Sequence, residues 1–135
     1  MIQYTVETGI SWEEFRDVLV HSTLGERRPV DEPERLKKML EHANLIVTAR
    51  LGGTLIGIAR SLTDYAFCTY VSDLAVDLTH QKKGIGRELI RQTKLASPGA
   101  RLILLAAPAA IDYYPKIGMT RHEYAYLLDD ITKMI

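Results

Sequence analysis

The feature that most constrains this chain is a short glycine-containing segment between two patterned stretches. Residues 81–87 read Gln-Lys-Lys-Gly-Ile-Gly-Arg, between an apolar strand-like run at 70–78 and an amphipathic helix-like run at 85–96. The first N–H groups of a helix have no internal partner, and the helix dipole adds partial positive charge there. Gly84 and Gly86 lack Cβ, so an anion can approach the main chain closely. Three side chains add formal positive charge, which favours a pyrophosphate site: Lys82, Lys83 and Arg87.

Two familiar glycine motifs are excluded. A P-loop needs Ser or Thr after Gly-Lys, whereas Gly86 is followed by Arg87 and Glu88. A dinucleotide fingerprint needs a third small residue at the position that Leu89 occupies. On these residues alone, a basic solvated turn capped by glycines remains open as the alternative.

Composition limits the remaining choices. A chain of 135 residues predicts one domain, residues 1–135. Seventeen basic residues balance seventeen acidic ones, so nothing overall favours nucleic acid or a membrane surface. The single Cys68 excludes an internal disulfide and a cysteine-rich metal site, and no metal is expected. With no membrane-length apolar run and no signal sequence, the expected location is the cytoplasm.

Periodic patterns order the rest of the chain around the glycine segment. A capping box at Ser11 and Glu14 starts one helix, and an Asp-Glu-Pro-Glu run at 31–34 starts another. The further predicted elements are strands at 2–6, 46–51, 54–60 and 67–78, a helix at 85–96, a strand at 102–106 buried on both faces, a short helix and a strand at 123–128. Gly52-Gly53 predicts a hairpin, and the strand–helix–strand unit predicts a parallel pair. The sheet is therefore expected to be mixed, in an α/β (α+β) fold.

Two spaced motifs carry a resemblance to a known family. Gln-x-x-Gly-x-Gly at 81–86, preceded by Leu-Ala-Val at 74–76, resembles the acyl-coenzyme A loop of the GNAT N-acetyltransferases. Residues 110–119, Ala-Ile-Asp-Tyr-Tyr-Pro-Lys-Ile-Gly-Met, are similar to the second motif of that family. The element order is also the GNAT order. The resemblance implies a mixed, centrally splayed sheet flanked by helices, with direct acetyl transfer from acetyl-CoA to a primary amine.

The same resemblance implies where the coenzyme binds. Main-chain groups at 74–76 would hold the pantetheine arm along a strand edge, with an N–H near Val76 polarising the thioester carbonyl. The glycine loop would hold the pyrophosphate. The implied coenzyme-binding residues are Leu74, Ala75, Val76, Gln81, Lys82, Lys83, Gly84, Ile85, Gly86, Arg87, Ala107 and Tyr113.

Two residues are the catalytic candidates. Tyr114 matches the family tyrosine that protonates the departing thiolate, and a core tyrosine is the structural alternative. Asp73, read as lying on the polar face of the central strand, is the predicted general base, with a solvated or salt-bridged carboxylate as the alternative. His80 is more typical of a turn residue than of a base. Tyr113 fills the aromatic packing position beside Tyr114.

The acceptor side is less defined by sequence. His21 and Ser22 end the first helix, where the family builds its acceptor wall, and are predicted to contact substrate. Arg60, together with Arg27 and Arg28, is a candidate for selecting an anionic acceptor, with solvated surface arginines as the alternative.

Some positions depart from the family pattern. Many relatives carry asparagine where Ala107 stands, so one side-chain contact with the coenzyme is missing. Pro115 is expected to end the last helix early. The short tail abbreviates the closing hairpin, and an exposed sheet edge favours a homodimer. A non-catalytic acyl-CoA sensor therefore stands as the alternative to an enzyme that acts on a small-molecule or protein amine. Nucleic-acid binding is disfavoured because the basic cluster is small.

Overall fold

The computed structural model describes every residue from Met1 to Ile135. The chain divides into two compact units, Met1–Leu105 and Ala106–Ile135, and the assignment of one domain to the whole chain stays a prediction. The first unit contains β1 (Ile2–Val6), α1 (Trp12–His21), α2 (Pro33–His42), β2 (Leu45–Leu51), β3 (Thr54–Thr63), β4 (Cys68–Val76), α3 (Ile85–Ala96) and β5 (Arg101–Ile103), with 3-10 turns at Leu24–Arg27 and Leu78–His80. The second unit contains the one-turn helix α4 (Tyr113–Lys116) and 3-10 turns at Pro108–Ala110 and Ile131–Lys133.

The first unit is built on one five-stranded sheet in the order β1-β2-β3-β4-β5. The first four strands pair antiparallel, and β5 lies parallel to β4. The β2–β3 hairpin turns at Gly52 and Gly53, whose φ angles of 57° and 85° suit a type I′ turn. The parallel partner of β4 follows the helix α3, as a crossover connection requires. The prediction of a mixed sheet flanked by helices is confirmed.

One apolar core joins α1 and α2 to the sheet. The capping box predicted for α1 is present, since Glu14 N donates to Ser11 Oγ at 3.2 Å and Ser11 N donates to the Glu14 carboxylate at 3.4 Å. Packing against the sheet then buries one stripe of the helix. The core comprises Ile10, Phe15, Val18, Leu19, Leu36, Ile46, Leu55, Ile58 and Ala75.

The helix α3 packs on the opposite face, because Gly57 alternates with the core residue Ile58 along β3. A Cβ at Gly57 would lie 3.1 Å from Leu89 Cδ1 and 3.3 Å from Ile85 Cγ2. Glycine therefore lets the first turns of α3 approach the sheet closely. Because Gly57 pairs with Val76, this contact fixes the start of α3 beside the end of β4.

The strand predicted at 102–106 differs from the observed one. β5 covers only Arg101–Ile103, and Ile103 is 46% exposed, so the prediction of burial on both faces is wrong. The apolar run suggested a central parallel strand, but β5 is the outermost strand and has a neighbour on one side only.

The strand predicted at 123–128 is also wrong. These residues have no regular secondary structure, and all of them are exposed. Tyr124, Tyr126 and Leu128 alternate with a period of two, but a strand needs a neighbour to accept its hydrogen bonds, and none pairs with this segment. The outer edge of β5 consequently remains unpaired, as the homodimer expectation assumed.

Candidate active site

The junction between β4 and α3 is held by short-range hydrogen bonds. Asp77 N donates to Ile56 O at 2.8 Å and ends the pairing of β4 with β3. The Gln81 side chain then reaches back, and its Nε2 donates to Val76 O at 2.9 Å. The backbone turns into α3 through Lys82 and Gly84, whose φ angles of 63° and 80° are both left-handed. The Gln81 side chain thus links the loop to β4. This structural role differs from the predicted role of Gln81 in binding the coenzyme.

The loop presents main-chain donors without acceptors. No N–H group from Lys82 to Arg87 has a hydrogen-bond acceptor in the protein, and the first bond of the helix end runs from Glu88 N to Gly84 O at 3.0 Å. No atom lies within 4 Å of the place where a Cβ on Gly84 would stand. The three basic side chains of the loop are exposed. Such a row of free donors at a helix start can bind a phosphate or pyrophosphate group.

β4 offers a second set of free main-chain groups. It pairs with β5 only over Cys68–Tyr70 and then continues to Val76 with no strand paired on that edge. The β3–β4 register shifts between Arg60 and Ser61, which leaves Ser72 as an extra residue on β4. A bulge bends the strand that carries it, which accounts for the divergence of β4 from β5. The splayed sheet implied by the resemblance is confirmed.

The direction of the free groups follows from the pairing. Asp77 N points toward β3, and successive residues of an antiparallel strand alternate in direction. The N–H groups of Val76 and Leu74 therefore point to the open edge, where an extended ligand can add as a strand.

Asp73 lies in a buried ion cluster. Its carboxylate is 0% exposed; Arg28 Nε donates to Oδ1 at 2.5 Å, and Arg60 Nε donates to Oδ2. Arg60 is itself 6% exposed and also donates to Ser72 Oγ at 2.8 Å and Met39 O at 3.1 Å. Arg28 Nη2 donates to Ser72 O at 2.8 Å, so both guanidinium groups are hydrogen-bonded to Ser72, the bulge residue.

This placement corrects the expectation that Asp73 lies on a polar face. The residue shares the buried face with Ala75, and both of its oxygens are engaged by cations. It matches the salt-bridged alternative and does not reach a substrate as an accessible base. Arg60 is likewise an internal partner of Asp73 and not a solvated arginine.

His21 and Ser22, the two residues predicted to line the acceptor site, have different roles in the structure. Ser22 closes the end of α1, because its Oγ donates to Leu19 O at 2.9 Å and accepts from Leu24 N at 3.2 Å. The His21 side chain is 61% exposed, and its Nδ1 lies 3.7 Å from Asp77 Oδ2. His21 is therefore the residue of this pair that is free to meet a substrate.

A cavity of about 370 Å³ lies elsewhere, between the end of β1 and α2, with Trp12 and Leu40 in its wall. Val6, another wall residue, lies on β1, which β2 and β3 separate from β4. We assign the cavity no part in the chemistry at the β4–α3 junction.

A model of the GNAT acetyltransferase family matches residues 12–119. The chain belongs to the GNAT acetyltransferase family. The match spans both motifs, from the first helix through Met119.

Solved structures of GNAT proteins share this fold. A GNAT-family acetyltransferase from Streptococcus pneumoniae is 19% identical, with a TM-score of 0.77 over 96% of this chain and 100% of that chain. An aminoglycoside acetyltransferase from an uncultured soil metagenomic sample, solved in complex with sisomicin, is 20% identical, with a TM-score of 0.70 over 96% and 95%. A Trypanosoma brucei acetyltransferase is 21% identical, with a TM-score of 0.71 over 96% and 99%. At these identities the likeness concerns the fold.

The second GNAT motif, residues 110–119, lies in the second unit around α4. The Tyr113 and Tyr114 rings meet edge to face at 5.3 Å. Burial raises the pKa of the Tyr114 phenol and Tyr113 raises it further, so the phenol is protonated at neutral pH.

Pro115 lies in the first turn of α4, where a missing N–H costs nothing, and Gly118 with φ 99° follows the helix end. Ala107 accepts from Ala110 N at 2.8 Å and offers no side-chain amide.

Sequence reasoning missed the surroundings of Asp77. Its Oδ1 accepts from Thr79 N at 2.9 Å and from Thr79 Oγ1 at 2.7 Å, and Thr79 Oγ1 lies 3.0 Å from His80 Nδ1. The Asp-x-Thr spacing is a local signal for this turn. No local signal indicates that His21 faces the same carboxylate.

None of the helices is both long and apolar enough to cross a bilayer. The cytoplasmic location stays a prediction.

Proposed function

We propose that this protein is an acetyl-CoA-dependent N-acetyltransferase that transfers the acetyl group directly to a primary amine of a small molecule or a protein. Membership of the GNAT family supports acyl transfer in general. The observation that carries the finer proposal is the run of free N–H groups from Lys82 to Arg87 beside the unpaired edge of β4.

The residues at this junction fit coenzyme A. Six consecutive donors and the side chains of Lys82, Lys83 and Arg87 suit a pyrophosphate, and the open space at Gly84 lets it approach the main chain. The edge of β4 at 74–76 suits an amide-containing arm, which hydrogen-bonds as an added strand does. Bound acetyl-CoA would supply a thioester, whose acyl carbon is open to attack by an amine.

The roles of the chain's own groups follow from where charge develops. Val76 N–H would donate to the acyl oxygen as negative charge builds up there, which a fixed donor stabilises at no cost of reorganisation. Tyr114 keeps the role that the family resemblance gives it, proton donor to the leaving sulfur. A donor must carry its proton at neutral pH, and the raised pKa of Tyr114 meets that condition.

An amine acceptor is supported by a fold relative. The soil acetyltransferase of the same fold was solved with sisomicin, an aminoglycoside, and is named for acetylating that class. We extend to this chain only the class of acceptor, a primary amine. Nucleic acid is not proposed, because the chain carries equal numbers of basic and acidic residues.

A second candidate is a non-catalytic acyl-CoA-binding module. Ala107, which stands where many relatives carry asparagine, favours it because alanine cannot make the side-chain contact with the coenzyme. The two candidates share the binding site and differ in turnover.

Calorimetry with coenzyme A, followed by thiol release from acetyl-CoA, tests both candidates. Three probe amines of different charge suit the second step: sisomicin, spermidine and a lysine-containing peptide. Binding with thiol release and an N-acetylated product in the mass spectrum supports the enzyme. Binding with no release from any amine favours the sensor, and failure to bind coenzyme A rejects both.

A further inference from the structure

Two histidines and one carboxylate meet where β4 ends. His21, the last residue of α1, places Nδ1 3.7 Å from Asp77 Oδ2. Oδ1 of the same carboxylate is held by Thr79, whose hydroxyl also contacts His80. Asp77 directly follows Val76, so the His21 imidazole lies near the end of β4, the strand whose open edge is proposed to bind the thioester.

Asp77 is built to be a fixed anion. Burial would raise the pKa of its carboxyl, but two hydrogen bonds from Thr79 and the charges of His21 and His80 outweigh burial and hold that pKa below its ordinary value. Its own N–H donates to Ile56 O at 2.8 Å, which anchors the residue to β3. A carboxylate that is both charged and anchored can orient a neighbouring imidazole.

The acetyl transfer needs a proton acceptor because an alkyl amine is protonated at neutral pH. Asp73, the sequence candidate, has both oxygens bound by Arg28 and Arg60 and is fully buried. His21 meets the opposite conditions: its ring is exposed, one nitrogen faces Asp77, and the other nitrogen, Nε2, is left for a substrate.

We propose that His21 is the general base of the acetyl transfer and that Asp77 is its positioning residue, an inference that rests on the proposed N-acetyltransferase function. Asp77 Oδ2 favours the tautomer with the proton on Nδ1, which leaves the Nε2 lone pair free. The separation of 3.7 Å is an ion-pair distance, and catalytic hydrogen bonds often tighten only when substrate is bound.

Acetyl transfer from a thioester to an ammonium group releases one proton overall. Nε2 of His21 takes one proton from the acceptor ammonium, and the resulting imidazolium, paired with Asp77, releases it to water. The free amine nitrogen forms a bond to the acyl carbon, the carbon–sulfur bond breaks, and the nitrogen loses its second proton to water. The leaving sulfur takes a proton from Tyr114, which regains one from water. The net products are an amide, a thiol and one proton.

Of the other charged groups on α1 and in the segment after it, Asp17 and Arg28 are already engaged. Asp17 lies one turn back on α1 and pairs with Arg16 at 3.1 Å. Arg28, in the segment after α1, is turned to Asp73. His80 acts on Asp77 from the loop side. Asp77 is the carboxylate that lies within ion-pair distance of the His21 ring.

The test compares His21→Gln and Asp77→Asn with the matched control His42→Gln. His42 is the exposed last residue of α2, as His21 is of α1. We expect His21→Gln to lower kcat/KM by about 10²–10⁴-fold and to abolish its rise with pH, while coenzyme A affinity is unchanged. His42→Gln is expected to match the wild type in both respects.

A second readout needs no turnover. The ¹⁵N shifts of the His21 ring distinguish the Nδ1–H from the Nε2–H tautomer. The wild type is expected to show Nδ1–H, and Asp77→Asn to shift the population toward Nε2–H. If the wild type already shows Nε2–H, or if the Asn variant leaves the shifts unchanged, Asp77 does not orient the ring.

The outcomes separate the two proposals. A wild type that transfers acetyl, together with a His21→Gln variant that keeps its rate and pH profile, overturns the role of His21 and leaves the N-acetyltransferase intact. A wild type that transfers acetyl to none of sisomicin, spermidine and the lysine peptide overturns the enzyme and the base together.

Discussion

Replacing Gly84 by alanine is expected to weaken coenzyme A binding by more than its effect on stability can explain. Gly84 is the N-cap of α3 with φ 80°, and no atom lies within 4 Å of the place of a Cβ. Alanine in the left-handed region costs about 1–2 kcal/mol of stability. The added methyl either enters the open space or drives the backbone out of that region, which turns the free N–H groups away.

The expected loss of affinity follows from those N–H groups. A hydrogen bond to a charged group is worth about 1.5–3 kcal/mol, and removing one from the pyrophosphate should weaken binding about 10–100-fold. The matched control is a glycine that also has a positive φ but lies outside the proposed coenzyme site. Gly53 in the β2–β3 hairpin has φ 85° and also has no atom within 4 Å of a Cβ position.

The assay pairs calorimetric titration of coenzyme A with urea unfolding, for Gly84→Ala and Gly53→Ala. Both variants should lose a similar free energy of unfolding, because both place alanine at positive φ. Only the Gly84 variant should lose affinity. Equal coenzyme A affinities for the two variants would refute the assignment of the loop as the pyrophosphate site.

Four further predictions test other parts of the structure. Tyr114→Phe should lower kcat by about 10²–10⁴-fold and leave the Kd for coenzyme A unchanged. A variant that loses affinity for coenzyme A would instead indicate a packing role for Tyr114. Asp73→Asn should lower the free energy of unfolding by about 3–5 kcal/mol in urea, because the buried Arg60 and the partly buried Arg28 lose their counter-ion, and a stable variant would contradict the ion cluster. The hydrogen bond from Arg50 lowers the pKa of the Glu7 carboxyl in the folded protein. The stability that this bond contributes is therefore present above the pKa that Glu7 has in the unfolded chain, and it is lost as the pH falls through the lower, folded-state pKa of Glu7. Arg50→Gln should therefore cost about 1.5–3 kcal/mol at pH 7, and the difference from the wild type should shrink in acid. Finally, the unpaired outer edge of β5 supports a homodimer, and a monomer mass that does not change with concentration would reject it.

The features that could be predicted from sequence are those decided within a few residues. Ser11 and Glu14 mark a helix start through local contacts, because each side chain bonds to the other residue's N–H group. Gly52 and Gly53 turn a hairpin because their φ angles are accessible to glycine. The glycine loop belongs to the same class, since its free donors arise from the helix start itself.

The features that could not be predicted depend on partners far along the chain. Asp73 looked like a polar strand residue because the arginines that bury its charge lie on β3 and beyond α1. The run at 102–106 looked central because apolar composition does not say how many neighbours a strand has. His21 was predicted only as a substrate contact and Asp77 was given no role, and only the packing of α1 near the end of β4 brings them together.

The bulge at Ser72 connects these observations. An extra residue there bends β4 away from β5 and so leaves the edge at 74–76 free to bind a ligand. Such a bend is stable only if the surrounding structure holds it, and Arg28 and Arg60 do so by donating to Ser72 O and Ser72 Oγ. Both guanidinium groups need a buried counter-ion, which is the role of Asp73. The Asp73 carboxylate is thereby committed to structure, which leaves the proton transfer to a group on another element, and we place it on the exposed imidazole of His21 at the end of α1.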